Sequence, residues 1–183
     1  SGGVKKELKS VVHTKPMLSA KKTKSVKEIG EFIGGKNVVM SWKLDGLTIG
    51  IIGLGNIGRR VADIAKMFGA NVIYYSTTGK NTQEGYNRVD FDTLLSTSDI
   101  VSVHAPLTPE TEKLMNSEAF KKMKSSAIFI NVGRGAIVNE QDLADAIDNH
   151  VIAAAGLDVL TEEPMNPNSP FLHIKDSKRL LIT

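Results

Sequence analysis

Three glycines lie at the spacing Gly53-x-Gly55-x-x-Gly58, directly after an apolar run that ends at Ile52. At this spacing the first glycine permits a tight turn, the second lets the backbone approach a pyrophosphate, and the third lets a helix pack close to a strand. The residues from about Asn56 to Phe68 have a helical pattern, so the unpaired N–H groups of a helix start would face the phosphates. Because strand and helix patterns flank the glycines, the motif predicts a pyrophosphate-binding loop rather than a plain structural turn.

A second set of residues suggests carboxylate binding and acid–base chemistry. Arg134 stands between Gly133 and Gly135, and its planar guanidinium suits a bidentate grip on a carboxylate. A surface arginine in a turn is the alternative interpretation. Glu162 and Glu163 precede Pro164, and one of them would tune a histidine, unless both are simply exposed acids in a turn.

Strands and helices that alternate from Leu47 onward would position these residues. Short apolar runs, typical of buried parallel strands, predict strands over 47–53, 71–76, 99–103, 126–132, 153–159 and 180–182. Apolar residues at helical spacing predict helices over 56–68, 90–96, 117–123 and 140–149. This alternation predicts an α/β fold with a doubly wound parallel sheet, a Rossmann fold, and the strand order 3-2-1-4-5-6.

Local signals refine this pattern. Thr108-Pro109-Glu110 resembles a helix start with proline at the first position, and Asn139 followed by acidic residues resembles another. The polar, glycine-containing stretch 78–89 predicts a loop.

Ligands on such sheets bind at the carboxyl ends of the strands, which selects the residues just after each strand. Ser76 stands about 20 residues after the glycine motif, where an acidic residue would hold the ribose 2′-hydroxyl of NAD. The run from Tyr75 to Lys80 contains no acid. Its hydroxyls and Lys80 would tolerate the 2′-phosphate of NADP, or the run is a solvent-exposed loop that carries no preference.

Composition favours a globular, non-membrane protein with a basic beginning. The chain has 183 residues and no cysteine, which excludes disulfides and thiolate catalysis and favours the cytoplasm. No apolar run approaches the ~20 residues that cross a bilayer, and no secretory signal is visible. Residues 1–46 carry ten Lys against four Asp/Glu, while residues 47–183 carry 13 Lys/Arg against 16 Asp/Glu. We expect a basic extension over 1–46, more a solvated surface than a nucleic-acid contact, and a nucleotide-binding domain over 47–183.

Four segments in this order carry a resemblance to a known family: GIIGLGNIGRRVA, VSVHAPLTPET, INVGRGAIVNEQDLADAI and AGLDVLTEEP. Together they resemble the D-isomer-specific 2-hydroxyacid dehydrogenases over about residues 47–183. The resemblance implies NAD or NADP as cofactor, a small 2-keto or 2-hydroxy acid as substrate, and hydride transfer as the reaction.

The resemblance also implies a role for individual residues. Arg134 would hold the substrate carboxylate and carbonyl, and Glu163 would raise the basicity of the family's catalytic histidine. The pyrophosphate would lie on Gly53, Gly55 and Gly58 with the backbone of Asn56 and Ile57. His104, Ala105 and Pro106 would line the adenosine side and Asp158 would contact the nicotinamide amide, while Ser76, Val132 and Gly133 complete the expected cofactor site. No metal site is expected.

The family's catalytic histidine follows the last strand in a Pro-His pair, and the sequence ends at Leu180-Leu181-Ile182-Thr183. His13, His104, His150 and His173 do not occupy that position. The sequence therefore predicts a truncated dehydrogenase, with a nucleotide-binding module without turnover as the alternative. The family also implies a homodimer, with contacts through helices 90–96 and 117–123 and the loop after His104.

The first 46 residues resemble a different family. The stretch around Lys43-x-Asp45-Gly46 is similar to the adenylation domain of bacterial NAD-dependent DNA ligases, in which the lysine of a K-x-D-G motif becomes adenylated. The same residues also suit the lead-in to the first strand of the dehydrogenase domain. The sequence therefore predicts a chimeric junction near residues 46–50, with ligase-type chemistry at Lys43 as a remote alternative.

Overall fold

A computed structural model describes residues 44–183 of the protein. Its strands are β1 (Thr48–Ile52), β2 (Asn71–Tyr75), β3 (Asn87–Arg88), β4 (Ile100–Val103), β5 (Ile128–Asn131), β6 (Ala154–Leu157) and β7 (Leu180–Ile182). Its α-helices are α1 (Asn56–Met67), α2 (Phe91–Thr97), α3 (Ser117–Lys122) and α4 (Glu140–Asp148). Short 3-10 helices span Gly135–Ile137, Pro170–His173 and Ser177–Arg179. The six strands and four helices predicted by range are all present within about two residues of their expected ends, whereas the helix start predicted at Thr108-Pro109 is not followed by a helix. The predictions on Lys43 and on most of the basic extension lie outside the described residues.

All seven strands run parallel in one sheet of order β3-β2-β1-β4-β5-β6-β7. This confirms the doubly wound fold and corrects one detail. The stretch 78–89 was expected to be a loop, yet it contains β3, which pairs with β2 through Ile73 and Tyr74. The predicted order 3-2-1-4-5-6 counted strand 99–103 as its third strand and so placed it at the sheet edge, next to strand 71–76. In the structure β3 occupies that edge, and β4, which corresponds to the predicted strand 99–103, pairs with β1. Two polar residues are too few to show a strand periodicity, which is why the sequence pattern missed β3.

Side-chain oxygens cap the N-termini of three of the four α-helices found within residues 44–183. Asp90 accepts a hydrogen bond from the backbone N–H of Thr93, and Asn116 from that of Ala119. Asn139 accepts from the N–H of Asp142, as its sequence signature predicted. These caps satisfy N–H groups that a helix start otherwise leaves unpaired.

The helix expected to begin at Thr108-Pro109 does not form. Residues 109–113 form only turns, and Lys113 adopts a left-handed φ of 49°. The Thr111 hydroxyl bonds to the Pro106 carbonyl and accepts from the Thr108 N–H, so it closes a compact turn instead of opening a helix. Met115 then forms an isolated bridge with Val138, and that pairing fixes an extended backbone.

The core lies on both faces of the sheet. Ile51 belongs to a buried cluster with Ala62 and Ala65 of α1. Its neighbour Ile52 belongs to a second cluster with Leu94 and Phe120, from the helices that follow β3 and β4. Successive strand residues point to opposite faces, so this split shows that β1 is covered on both faces of the sheet. The carboxyl end of β1, where the glycine motif lies, is thereby fixed from both sides.

Candidate functional site at the carboxyl edge of the sheet

The first and third glycines of the motif are required by packing. Gly53 ends β1 with a φ of +90°, and a Cβ atom there would lie 2.8 Å from the backbone N and Cα of Ala105. A Cβ atom on Gly58 would lie 2.4 Å from the carbonyl oxygen of Gly53. Any larger side chain at either position would push the helix or the neighbouring loop away. These two glycines therefore bring α1 and the residues after β4 close to the end of β1.

Gly55 differs from its two neighbours in the motif. A Cβ atom at Gly55 would meet nothing within 4 Å, and the residue has an ordinary φ of −85°. No contact within the described chain therefore requires glycine here. Open space above a backbone turn is what the approach of a pyrophosphate needs.

The start of α1 is suited to an anion. Gly55 is its N-cap residue, no side chain caps the helix, and its first turn contains no acidic residue. Asn56 and Ile57 are exposed. The N–H groups of the first turn and the positive end of the helix dipole are therefore open toward the space above Gly55. The residues present fit a dinucleotide pyrophosphate.

His104 and Ala105 lie next to this loop. The His104 backbone N–H donates to the Ile52 carbonyl at 2.8 Å, and its Nε2 lies 2.9 Å from the Ser102 hydroxyl. Burial lowers the pKa of His104 below its ordinary value, and its Nδ1 is buried without a partner among residues 44–183. A half-buried imidazole with a lowered pKa fits a support for the loop better than a proton donor. Pro106, the next residue but one, is exposed at the edge.

The Ser76 hydroxyl, at the end of β2, was expected to face a ligand, and the structure does not place it so. Ser76 is buried, and its Oγ accepts from the backbone N–H of Asn81 at 3.2 Å. Thr78 and Lys80 are exposed in the turn that follows. Arg88 of β3 reaches the same turn, since its Nη2 lies 3.9 Å from the position of a Cβ on Gly79. The groups open to a ligand here are therefore two cations and the threonine hydroxyls.

Asn81 is a residue of this site that the sequence reasoning missed. Its Nδ2 donates to the Leu54 carbonyl, within the glycine loop, at 2.9 Å. Its own carbonyl accepts from the Tyr74 hydroxyl, and its Oδ1 accepts from the Gln83 amide at 2.8 Å. Asn81 thus ties the loop after β2 to the glycine loop. The signal was a single asparagine in a polar stretch, which no periodicity distinguishes.

Arg134 is exposed beyond the end of β5, in a turn that Asn131 organises. The buried Asn131 side chain accepts from the Gly133 N–H and donates to the Arg134 carbonyl, both at 3.0 Å. Arg134 Nη1 donates to the Gly133 carbonyl at 2.8 Å. Its remaining guanidinium N–H groups have no partner within residues 44–183, so they are open to a carboxylate. Val132 is exposed beside it, and Gly133 is buried.

Asp158 and Glu163 follow β6. The Asp158 backbone N–H donates to the Asn131 carbonyl at 3.0 Å. Because β6 pairs with β5, the exposed Asp158 follows its strand at the same sheet edge as the Arg134 turn. Glu163 is exposed, and its Oε1 accepts from the Leu160 N–H at 2.9 Å. The structure therefore brings the predicted residues of β1, β2, β4, β5 and β6 to one edge of the sheet. Glu162, the alternative to Glu163, instead binds the Asn166 amide at 2.7 Å.

Residues 44–183 contain no group of three or more His, Asp or Glu side chains placed to hold a metal ion. Within the same range, no helix is both long and apolar enough to cross a membrane.

Comparison with known proteins shows which family this chain is similar to. Residues 14–183 match the model of the D-isomer specific 2-hydroxyacid dehydrogenase NAD-binding domain. The glyoxylate reductase of Aeropyrum pernix is 45% identical over 142 residues, which cover 76% of this chain and 42% of that protein. The chain thus spans about two fifths of this relative's length.

Solved structures show the same similarity. The D-isomer specific 2-hydroxyacid dehydrogenase of Lactobacillus delbrueckii ssp. bulgaricus, in its NAD-complexed form, superposes with a TM-score of 0.70 at 33% identity, covering 79% of this chain and 48% of that one. A probable 2-hydroxyacid dehydrogenase of Rhizobium etli, in complex with NADP, gives 0.70 at 31% identity, covering 86% and 51%.

Proposed function

This chain belongs to the D-isomer specific 2-hydroxyacid dehydrogenase family, and from that premise we propose that residues 44–183 bind a nicotinamide dinucleotide for the interconversion of a 2-keto acid and a D-2-hydroxy acid. One observation carries the proposal. The open space over Gly55 meets the uncapped start of α1 on the same sheet edge as Arg134. That edge offers one place for a pyrophosphate and another for a carboxylate.

Different residues of the chain would bind the cofactor and the substrate. The first turn of α1 would hold the pyrophosphate, and Ala105 and Pro106 after β4 and Val132 after β5 would line the rest of the cofactor site, as the family resemblance implies. A bound nicotinamide supplies the hydride. The free N–H groups of Arg134 bind the substrate carboxylate and polarise the adjacent carbonyl, because a guanidinium fork matches two oxygens. Asp158 contacts the nicotinamide amide.

Glu163 would support a catalytic histidine, which would donate the proton that accompanies the hydride. Its Oε1 is held by the Leu160 N–H, and its Oε2 has no partner among residues 44–183. A carboxylate fixed in this way would orient a histidine and raise its pKa. The names of the relatives are those of enzymes, which favours an oxidoreductase over the alternative of a binding module without turnover.

The turn after β2 favours NADP(H). The end of β2 carries no acidic side chain to hold a ribose 2′-hydroxyl, and the Ser76 hydroxyl is already used within the loop. Lys80 and Arg88 instead flank the turn, and neither has an ion-pair partner in the described part of the chain. An arginine near this position accommodates a 2′-phosphate in dinucleotide-binding folds.

A parallel fluorescence titration of the whole chain with NADH and NADPH tests the proposal first. Saturable binding of either is expected, and no binding in a folded sample would overturn it. Glyoxylate-dependent oxidation of the reduced cofactor separates the two candidate functions: turnover supports the oxidoreductase, whereas cofactor binding without turnover supports the binding module, since none of the four histidines occupies the family's catalytic position. Arg134→Gln should abolish glyoxylate dependence and keep cofactor binding, since Arg134 is assigned to the substrate.

Four finer expectations remain proposals with their own tests. The division into an extension over 1–46 and a domain over 47–183 is checked by limited proteolysis. Ligase-type chemistry at Lys43 requires a mass increase on incubation with NAD that Lys43→Ala abolishes. The cytoplasmic location is checked by cell fractionation. The homodimer that the family resemblance implies is checked by light scattering coupled to size-exclusion chromatography.

A further inference from the structure

Side chains from α1 and from the loop after β2 form a continuous series of hydrogen bonds beside the glycine loop. Arg59 of α1 donates through Nη1 to Gln83 Oε1 at 3.4 Å and through Nη2 to Asn56 Oδ1 at 2.8 Å. Gln83 Nε2 donates to Asn81 Oδ1 at 2.8 Å, and Asn81 Nδ2 donates to the Leu54 carbonyl at 2.9 Å. Leu54 and Asn56 lie on either side of the second motif glycine, so the series begins and ends at the glycine loop. We call the side chains of Asn56, Arg59, Gln83 and Asn81 the hydrogen-bond chain.

The two ends of the hydrogen-bond chain fix the direction of every bond in it. A guanidinium can only donate and a carbonyl oxygen can only accept. The side-chain oxygen of Gln83 therefore faces Arg59, and its NH2 group faces Asn81. The oxygen of Asn81 accepts that bond, which leaves its NH2 group for the Leu54 carbonyl. Both amides are thus used as acceptor and as donor, and connected bonds of this kind polarise and strengthen one another.

The backbone of the loop after β2 is anchored to the sheet as well. The hydroxyl of Tyr74, which is buried in β2, donates to the Asn81 carbonyl and accepts from the Gln83 N–H, both at 3.1 Å. The Asn81 N–H donates to the Ser76 hydroxyl at 3.2 Å. The loop is therefore joined to β2 through its backbone and to α1 and the glycine loop through its side chains.

The hydrogen-bond chain borders open space rather than packed core. Asn56, Arg59 and Gln83 are among the residues that line a cleft of about 500 Å³ between α1 and the loop after β2. This volume lies within the range of ligand pockets. Arg59 is half-buried and has no carboxylate partner among residues 44–183. The chain thus lies where the position of its members affects a bound ligand.

We propose that Gln83 is a positioning residue for the dinucleotide, because it joins the loop after β2 to the glycine loop through Asn81 and Arg59. This inference rests on the function proposed above. The pyrophosphate is assigned there to the first turn of α1, and the 2′-phosphate to the turn that precedes Asn81. A fixed distance between these two segments prepares both for the same ligand. Segments that are held in place before the ligand arrives need less ordering when it binds.

Titration of the full chain with NADH and with NADPH tests Gln83 directly. Gln83→Met keeps an unbranched side chain of similar length and removes both its donor and its acceptor. The Kd for either cofactor should rise about fivefold, as expected for the loss of one hydrogen bond. Thr82→Val is the matched control, since it removes a polar group at the exposed neighbouring position. A Gln83→Met variant that is less stable in urea but has an unchanged Kd would overturn the positioning role.

A double-mutant cycle separates a connected chain from independent contacts. Asn81→Ala already breaks the link to the glycine loop, so the further change Gln83→Met should raise the Kd little more. Independent effects of about fivefold each would instead multiply to roughly 25-fold. A multiplicative result would overturn the proposal.

Amide hydrogen exchange, measured by NMR on the full chain without cofactor, separates this proposal from the proposed function. Arg59→Met removes the α1 end of the hydrogen-bond chain and should speed the exchange of the Asn81 and Gln83 N–H groups. Arg60→Met is the matched control, because it removes the same charge from the next residue, which makes no side-chain hydrogen bond among residues 44–183.

The two measurements fail in different ways. If the wild-type chain binds a cofactor but Arg59→Met exchanges no faster than Arg60→Met, the link between the two segments is overturned and the proposed function stands. If a folded wild-type chain binds neither cofactor, the proposed function fails. The role of Gln83 toward the dinucleotide then fails with it, even where the exchange shows that the two segments are linked.

Discussion

The backbone of Gly135 packs directly against the carbonyl group of Leu160. A Cβ atom on Gly135 would lie 1.9 Å from the Leu160 carbonyl carbon and 2.0 Å from its oxygen. Gly135 follows Arg134, and the Leu160 N–H holds the Glu163 carboxylate. One glycine contact therefore joins the turn that carries the proposed substrate arginine to the turn that carries the proposed supporting glutamate. The glycine after Arg134 is required by this contact rather than by access to the arginine.

Gly135→Ala should destabilise the fold, because the Leu160 backbone cannot move away without displacing the Glu163 turn. Overpacking of this kind costs ~1–3 kcal/mol. Urea unfolding measures the loss. Gly156→Ala is the matched control, since a Cβ there meets nothing within 4 Å. Equal stability of the two variants would contradict the packing argument.

Gly55→Val should leave the fold intact and weaken dinucleotide binding by tenfold or more. Nothing in the described chain lies within 4 Å of a Cβ at this position, so the added methyl groups would occupy the space proposed for the pyrophosphate. Titration with NADH and NADPH gives the dissociation constants, and thermal unfolding shows that the variant is folded. Unchanged affinity would remove the glycine loop from the binding site.

Asn81→Ala should weaken binding of the dinucleotide while leaving the chain folded. The variant loses the bond to the Leu54 carbonyl, which positions the glycine loop, and the bond from the Gln83 amide. At about 1 kcal/mol for a hydrogen bond, loss of the bond to the glycine loop corresponds to roughly fivefold in Kd. Thr82→Ala, at the exposed neighbouring position, is the control. If both variants bind equally well, Asn81 does not position the loop.

Arg88→Ser should raise the Kd for NADPH more than the Kd for NADH. Arg88 reaches the Gly79 turn, where the 2′-phosphate is proposed to lie, and the NADH complex has no group for it to pair with. The measured quantity is the ratio of the two dissociation constants in wild type and variant. A ratio that does not change would place the 2′-phosphate elsewhere.

Stability should depend on pH through Asp99. Its carboxylate accepts from Lys124 Nζ and from the Thr48 N–H, both at 2.8 Å, and these bonds hold the pKa of Asp99 below its ordinary value. A lowered pKa means that the folded state binds the proton more weakly than the unfolded chain. The stabilisation is therefore fully present above the ordinary pKa near 4 and is lost as the pH falls through the lower folded value.

Asp99→Asn should therefore cost about 1 kcal/mol at pH 7, a figure that allows for partial solvent screening, and less near pH 3. Urea unfolding at both pH values gives the difference from wild type. Asp92→Asn serves as the control, because the Asp92 side chain pairs with Lys122 at the surface and is 65% exposed. A cost at Asp99 that does not change with pH would point to packing rather than charge.

The sequence predicted the elements that carry a local pattern, either a run of apolar residues or a fixed spacing of glycines. Apolar runs located Ile49 to Ile52 and the other long strands, and the glycine spacing located the loop after β1. The Thr108-Pro109 pair gave a wrong prediction of a helix start. The Thr111 hydroxyl closes a turn there, through contacts that form only in the folded chain. Asn81 and the contact of Gly135 with Leu160 depend on residues distant in sequence. Local patterns contain no information about such partners.

The two-residue length of β3 has a further consequence for the behaviour of the protein in concentrated solution. An edge strand presents unpaired N–H and C=O groups that can recruit strands of other molecules. Asn87 and Arg88 are both polar and exposed, and the strand ends after them. At this edge a strand of another molecule could form few backbone hydrogen bonds, and the charged Arg88 side chain disfavours its approach. The short strand thus protects this side of the sheet against aggregation.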